Sequence, residues 1–139
     1  MEQKANPSKF RLYVTSTGLG VFAGKNSEQN DKLVSSAKRN DILMHTEKPG
    51  SPFCNLEESP SNEDISEAAV FCARYSQDWR DNKKDVTVQV FRKSDMDKDV
   101  SMKSGTWGVK RVIQKIKVKR GDIERFNISK EDIKREEKK

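Results

Sequence analysis

The chain has 139 residues, of which 32% are hydrophobic and 36% are charged, and its mean hydropathy is −0.95. This length accommodates one domain with a modest core rather than two domains. No apolar run approaches the roughly 18 residues of a membrane span, and residues 1–7 lack the apolar block of a signal peptide. We therefore expect a cytoplasmic protein without a membrane partner.

The net charge of +6 is concentrated in the last third of the chain. Residues 101–139 carry 13 Lys/Arg against 6 Asp/Glu, whereas residues 1–60 carry 8 against 7 and residues 61–100 carry 7 against 9. A concentrated basic segment favours a polyanionic partner through long-range attraction and counterion release. The alternative interpretation is a solubilising basic tail.

Few side chains are suited to a metal or redox site. Cys54 and Cys72 lie in apolar surroundings without Cys-x-x-Cys spacing, and His45 is the only histidine. A zinc site needs more ligands than these. We predict two buried thiols in a reducing compartment, with no metal and no cofactor.

The first third of the chain alternates between strand and helix patterns after a lead-in, residues 1–8, that we expect to be disordered. Period-two alternation over residues 10–15 and 19–23, interrupted by a glycine-containing turn, predicts a β-hairpin. Residues 28–38 are compatible with a short helix, and residues 40–46 predict a third strand.

A Pro-Gly-Ser turn at residues 49–51 leads into a short strand over residues 52–56. Proline at its start suits an edge strand or the first position of a strand. The most regular pattern follows, with Ser61 or Asn62 as N-cap and apolar residues at i, i+3, i+4 and i+7. It predicts one amphipathic helix that continues through Arg80 and packs on a sheet.

The remaining strands are predicted at residues 86–92, 107–110 and 112–119. Three lysines share one face of the last strand: Lys115, Lys117 and Lys119. This stripe, with Arg111 beside it, is either a surface for a polyanion or an edge strand protected by lysine against aggregation.

Together these elements predict an α+β fold. We expect a single compact domain over residues 9–122, with a mainly antiparallel sheet of six to seven strands and one long and one short helix packed on it. Residues 123–139 are charged and poor in apolar side chains, so we expect a mobile or frayed-helical tail.

The Gly24-Lys25-Asn26 turn joins the second predicted strand to the first predicted helix. Exposed N–H groups at a helix start, together with a lysine, can hold an anion such as phosphate. The alternative is a strand-to-helix turn with solvated polar residues. A Walker A loop is excluded, because Leu19 occupies the first glycine position and Asn26 replaces the Mg²⁺-binding hydroxyl.

Laid end to end, these segments resemble the NFACT-R domain, the predicted RNA-binding module of the NFACT proteins, over roughly residues 10–119. Five blocks in order carry the resemblance: Gly-Lys-Asn-x-x-Gln-Asn-Asp-x-Leu at 24–33, Asp-Ile-Leu-Met-His at 41–45, Pro-Gly-Ser at 49–51, the helix over 68–76, and Lys103 with the turn at 105–109. The chain departs from the family at Leu43, where an aromatic is usual, and at Pro52, where a histidine is usual.

The resemblance implies a compact α+β domain that binds RNA, with tRNA or the large ribosomal subunit as its context. It also implies a link to ribosome-associated quality control or translation, in a stand-alone form known chiefly in archaea. Peptide tailing by full-length relatives is not implied, since it depends on domains that this sequence does not contain.

We therefore predict a non-catalytic RNA-binding module. Basic side chains are expected to contact phosphates: Lys25, Lys103, Arg111, Lys115, Lys117 and Lys119. Amides are expected to contact sugars or base edges: Asn26, Gln29 and Asn30. Trp107 or His45 is expected to offer a stacking surface for a base.

Two other functions remain open. An RNA-directed enzyme would use Asp31, Asp41 and His45 as an acid/base group beside a phosphate held at Gly24 and Lys25. A protein-interaction module would place the basic face against an acidic partner on the ribosome.

Overall fold

An antiparallel sheet of six strands lies at the centre of the structure, a computed structural model that describes residues 10–98 and 101–126. The elements are β1 (Arg11–Val14), β2 (Gly20–Ala23), α1 (Ser27–Ser36), β3 (Ile42–Thr46), β4 (Cys54–Asn55), α2 (Asn62–Arg74), α3 (Gln77–Asn82), β5 (Val86–Arg92), β6 (Met96–Asp97), β7 (Gly108–Val109), β8 (Gln114–Val118) and α4 (residues 120–126). The strand order is β1-β2-β4-β3-β5-β8, and β6 and β7 form a separate two-stranded sheet. The predicted α+β class is confirmed.

The β1–β2 hairpin forms where the alternation predicted it. Arg11 lies opposite Ala23, and Val14 lies opposite Gly20. Gly18 closes the turn with a φ of 96°, a backbone conformation that glycine adopts without a steric penalty.

Helix α2 covers one face of the sheet. Its small side chains are fully buried against strand residues that alternate inward, such as Met44 and Val88. The small residues of the helix are Ala68, Ala69, Cys72 and Ala73. They let the helix approach the sheet closely, as the amphipathic pattern of the sequence predicted.

Helix α1 and the β6–β7 pair cover the opposite face. Leu33 and Val34 of α1 pack with Leu43, Phe91 and Met96 in a second core cluster. Because successive strand residues point to opposite faces, Leu43 and Met44 contribute to the two different cores.

The long helix expected through Arg80 is instead two helices. Ser76 ends the first and caps the second: its hydroxyl donates to the Ala73 carbonyl (2.7 Å) and accepts from the Trp79 N–H (3.1 Å). A serine side chain can satisfy a helix terminus in this way, which sequence periodicity does not reveal. The break lets the Gln77 N–H reach the Gly50 carbonyl at 2.7 Å.

The fold continues past Asp122, the end expected for the domain. Ile123 is fully buried, and the Phe126 ring lies 5.5 Å from Tyr13 and 5.9 Å from Phe71. The lead-in expected at residues 1–8 lies outside the described residues, as does the part of the expected tail at 127–139.

Both cysteines are unpaired and fully buried. Burial, followed by the neighbouring Cys72 thiol, raises the pKa of the Cys54 thiol, so it remains protonated. Among the helices formed by the described residues, none combines the length and the apolar character that crossing a bilayer requires.

Candidate nucleic-acid interface

The start of α1 is fixed by two amide side chains. Asn26 is the N-cap, and its Oδ1 accepts from the Gln29 N–H at 2.9 Å. The Gln29 Oε1 in turn accepts from the backbone N–H of Lys25 at 2.9 Å. This reciprocal arrangement is similar to a capping box and leaves the Lys25 side chain exposed at the helix start.

Asn30 connects α1 to the segment after the Pro-Gly-Ser turn. Its Oδ1 accepts from the Phe53 N–H (3.0 Å) and its Nδ2 donates to the Ser51 carbonyl (3.4 Å). A Cβ at Gly24 would lie 2.8 Å from the Asn30 backbone nitrogen, so the close approach requires glycine. Asn30 is buried, and this bridge gives it a structural role.

Asp31 holds the segment over residues 101–107 against α1. It accepts hydrogen bonds from Lys98 Nζ (3.0 Å), Ser104 Oγ (2.8 Å), the Gly105 N–H (2.9 Å) and Trp107 Nε1 (3.0 Å). Burial acts to raise the pKa of Asp31, but these hydrogen bonds outweigh it and lower the pKa. We call Asp31 and these four donors the Asp31 cluster.

Trp107 is the predicted stacking residue that this cluster positions. Its ring is half-buried, and Lys98 Nζ lies 5.1 Å from the ring centroid. Lys98 also donates to the carbonyls of Lys103 (3.0 Å) and Thr106 (2.9 Å), so its ammonium holds these two parts of the loop together. The Lys103 side chain remains exposed.

His45, the second stacking candidate, is half-buried with its ring centroid 4.5 Å from that of Phe53. Desolvation lowers the pKa of His45, although the hydrogen bond to Thr46 opposes that effect. The ring is therefore neutral at pH 7. Since Nδ1 donates to the Thr46 carbonyl at 2.7 Å, Nε2 is the unprotonated nitrogen and can accept a hydrogen bond.

In the proposed acid/base group of Asp31, Asp41 and His45, Asp41 lies apart from His45. Asp41 accepts from the Lys38 N–H (2.8 Å) and from Asn55 Nδ2 (3.2 Å), where it fixes the turn before β3. Four residues of extended chain place it roughly 13 Å from His45. Within residues 10–98 and 101–126, no three His, Cys, Asp or Glu side chains are grouped so that they could hold a metal ion.

Strand β8 is an edge strand of the sheet, and it carries Lys115 and Lys117 of the lysine stripe, with Lys119 directly after it. Lys115 lies opposite Gln89, which lies opposite His45, so these three side chains share the face that α1 covers. Lys117 lies on the same face, opposite Thr87. Arg111 precedes β8 and lies towards its other end, away from Lys119.

Two stripe lysines have acidic neighbours. Lys115 forms an ion pair with Glu47 at 3.0 Å, and Lys119 lies 3.9 Å from Asp85. Within the part of the chain that the structure describes, four of the predicted phosphate ligands form no ion pair: Lys25, Lys103, Arg111 and Lys117.

The two glycine-containing turns meet at one cavity of about 300 Å³. Lys25, Asn26, Asn30 and His45, all predicted from the sequence, contribute to its lining. Ser104 and Gly105 of the loop that Asp31 holds also line it. The structure thus gathers four of the eleven predicted site residues at the end of the sheet where β2 ends and β4 begins.

Arg11, Tyr75 and Arg80 line this cavity too, and sequence analysis missed them. A signal for Arg11 existed, because it alternates with Leu12 and therefore occupies the inward-facing side of the predicted first strand together with Tyr13. An arginine at an inward-facing position needs a partner or a function.

Comparison with known proteins identifies a matching family model. Residues 9–111 match the family model described as the NFACT protein RNA binding domain. The chain belongs to this family. The resemblance to NFACT-R seen in the sequence is confirmed.

Relatives of this NFACT RNA-binding domain include the Rqc2 homolog RqcH of Bacillus subtilis, which is 35% identical over 77 residues. That match covers 54% of this chain and only 14% of RqcH. The fold is similar to the C-terminal of the fibronectin/fibrinogen-binding protein from Streptococcus suis, with a TM-score of 0.71 and 24% identity. This second match covers 85% of the present domain and 48% of the other chain, and at that identity it shows the fold alone.

Proposed function

We propose that this chain is a non-catalytic RNA-binding module that binds tRNA or the RNA of the large ribosomal subunit in the cytoplasm. We further propose that it acts in ribosome-associated quality control or translation. The observation that carries the proposal is the match of residues 9–111 to a family of RNA-binding domains. The link to the ribosome is what membership of the NFACT family implies, and this chain covers only 14% of the length of the relative RqcH.

Phosphate contacts in this proposal come from exposed lysines. Lys25, Lys103 and Lys117 have no competing ion pair among the described residues. The pairs of Lys115 and Lys119 are solvent-exposed, and such pairs contribute at most about 1 kcal/mol, so RNA phosphates can replace their partners. Each lysine that neutralises a phosphate also releases counterions, which makes binding weaken as salt rises.

A base contact in this proposal comes from Trp107. The Asp31 cluster fixes its indole N–H, which reduces the side-chain entropy lost on binding. Stacking of one base on an aromatic ring contributes about 1–3 kcal/mol. Because stacking tolerates any base, this contact supports affinity rather than sequence selection.

Salt dependence of RNA binding tests the lysine stripe. Replacing Lys115, Lys117 and Lys119 together with alanine is expected to flatten the slope of log affinity against log salt by about 2–3 phosphate equivalents for tRNA or ribosomal RNA. A matched control replaces Lys38, Arg39 and Arg92 with alanine, since these exposed residues lie at the opposite end of the sheet. An unchanged slope in the stripe variant, or an equal change in the control, contradicts the proposed surface.

Nuclease treatment separates RNA binding from a direct protein partner. Ribosomal components captured by the chain are expected to be lost when RNA is digested. Capture that survives digestion contradicts an RNA-mediated association and favours the protein-interaction alternative.

A further inference from the structure

The cavity beneath the Gly24-Lys25-Asn26 turn is strongly basic. Among the described residues that line it, three are cationic: Arg11, Lys25 and Arg80. No Asp or Glu is among these lining residues. Like charges gathered without a neutralising carboxylate repel one another, so this arrangement favours an anionic ligand.

Arg11 shows the strongest requirement for a ligand. Its Nε is buried and has no hydrogen-bond partner within the described part of the chain. The guanidinium carbon lies 3.8 Å above the centroid of the Tyr75 ring, a cation–π contact that fixes the plane of the group. A buried donor on a charged group is costly unless it is hydrogen-bonded, and an anionic oxygen satisfies it most strongly.

Arg80 lines the same cavity, and two hydrogen bonds fix its guanidinium. One of its terminal nitrogens donates to the Tyr75 carbonyl at 3.2 Å and the other donates to Gln77 Oε1 at 2.9 Å. These contacts orient the guanidinium before any ligand arrives, which lowers the entropy cost of binding.

The size and polarity of the cavity limit the ligand. A volume of about 300 Å³ equals the liquid volume of roughly ten water molecules, enough for a phosphate group with part of its sugar. Besides the cations, hydroxyl and amide groups line it, as does His45, whose unprotonated Nε2 can accept from a ribose hydroxyl.

We propose that this cavity binds a phosphate group of the RNA, with Arg11 and Arg80 as guanidinium ligands and Lys25 at the rim. The proposal rests on the proposed function for the identity of the ligand, but the pocket chemistry concerns phosphate itself. The phosphate comes either from an end of the RNA chain or from an internal phosphodiester.

The test follows the arginine Nε–H signals of the ¹⁵N-labelled chain by NMR at fixed ionic strength. Inorganic phosphate is titrated first, and then a short RNA with a 5′-phosphate and its unphosphorylated twin. The same titrations are repeated with Arg11→Lys, which keeps the charge but loses the planar donor fork. Arg92→Lys is the matched control, because Arg92 is exposed at the opposite end of the sheet.

We expect inorganic phosphate to shift the Arg11 Nε–H signal, and Arg11→Lys to weaken phosphate binding at least about tenfold while Arg92→Lys leaves it unchanged. A 5′-phosphate that strengthens RNA binding only when Arg11 is present identifies a chain end. Equal weakening of both RNAs by Arg11→Lys identifies an internal phosphodiester.

No shift of the Arg11 signal with phosphate, or equal effects of the two arginine variants, overturns the proposal. If Arg11→Lys does not fold, the phosphate titration of the wild-type chain still tests whether phosphate binds near Arg11. Arg80→Gln then replaces Arg11→Lys as the variant. If the salt slope is unchanged in the stripe variant but phosphate still shifts the Arg11 signal, the lysine surface is rejected and the phosphate pocket is retained. The two proposals can therefore fail separately.

Discussion

Two carboxylates each fix a loop to a helix, at opposite ends of the sheet and in opposite electrostatic surroundings. Asp64 accepts from Thr15 Oγ1 (2.8 Å), Thr17 Oγ1 (2.6 Å) and the Ser61 N–H (3.0 Å), and so holds the hairpin tip to α2. We call these four residues the Asp64 cluster. It uses the same chemistry as the Asp31 cluster, with a saturated carboxylate as the centre.

The surroundings of the two clusters differ in charge. Beside the Asp64 cluster, Glu67 accepts from the Ser16 N–H (2.8 Å) and from Tyr13 (3.1 Å), and Glu63 lies one turn earlier. Beside the Asp31 cluster lie lysines and the basic cavity. In both places the hydrogen-bonded carboxylate has a structural role, because it holds a loop against a helix. The cations around the Asp31 cluster make that end of the sheet the one suited to RNA.

Acidification protonates the carboxylates of both clusters. Of the changes considered, it is expected to lower the free energy of unfolding most. Hydrogen bonds from Thr17 and Ser61 lower the pKa of Asp64 to about 2, and the pKa values of Asp31 and Glu67 are also lowered. Because the unfolded chain binds these protons more tightly, the stabilisation is complete above roughly pH 5 and is lost as the pH falls through 4 towards 2. Urea denaturation at stepped pH measures this, and a flat profile between pH 5 and 2.5 contradicts it.

Asp31→Ala is expected to have the next largest effect, about 2–3 kcal/mol of the free energy of unfolding, because the Lys98 ammonium and the Trp107 N–H lose their shared acceptor. RNA affinity should fall as well, since the loop that carries Lys103 is released. Urea denaturation and RNA titration measure the two effects. Glu58→Ala, at an exposed carboxylate, is the control and should change neither.

Asp64→Asn is expected to lower the melting temperature by less, because the amide keeps one acceptor oxygen for the two threonine hydroxyls. RNA affinity measured below the melting temperature should equal that of the unmodified chain. A loss of RNA affinity comparable to that of Asp31→Ala would remove the distinction between the two clusters.

Trp107→Phe is expected to have the smallest effect, about 1 kcal/mol of stability, since Asp31 keeps three other donors. The aromatic ring remains, so stacking with RNA should be largely retained, whereas Trp107→Ala should lose it. Equal RNA affinity for the alanine and phenylalanine variants would show that the ring does not contact a base.

Periodicity predicted the longer elements of the fold because it reflects which side chains are buried. β1, β2, α1, β3 and β5 formed within a few residues of the expected bounds. β4, β6 and β7 have only two residues each, too few for a pattern to locate them accurately. The break between α2 and α3 depends on the side chain of Ser76, whose effect on the helix cannot be read from spacing.

The candidate site was predicted by residue type but not by contact. Asn26, Gln29 and Asn30 are polar in sequence, yet their amides are engaged in capping and bridging. The bond between Asp31 and Trp107 joins positions 76 residues apart, which no local pattern contains. Arg11 reaches the cavity only because the sheet places the start of β1 beside the end of β2.

Crosslinking of the chain to tRNA by ultraviolet light, followed by mass spectrometry of the peptides, tests most directly which end of the sheet binds RNA. We predict crosslinks within residues 24–31 and 103–107, at the start of α1 and in the loop that Asp31 holds. Crosslinks at residues 13–17 and 61–67, with none at residues 24–31 or 103–107, would place RNA at the Asp64 cluster and contradict the account.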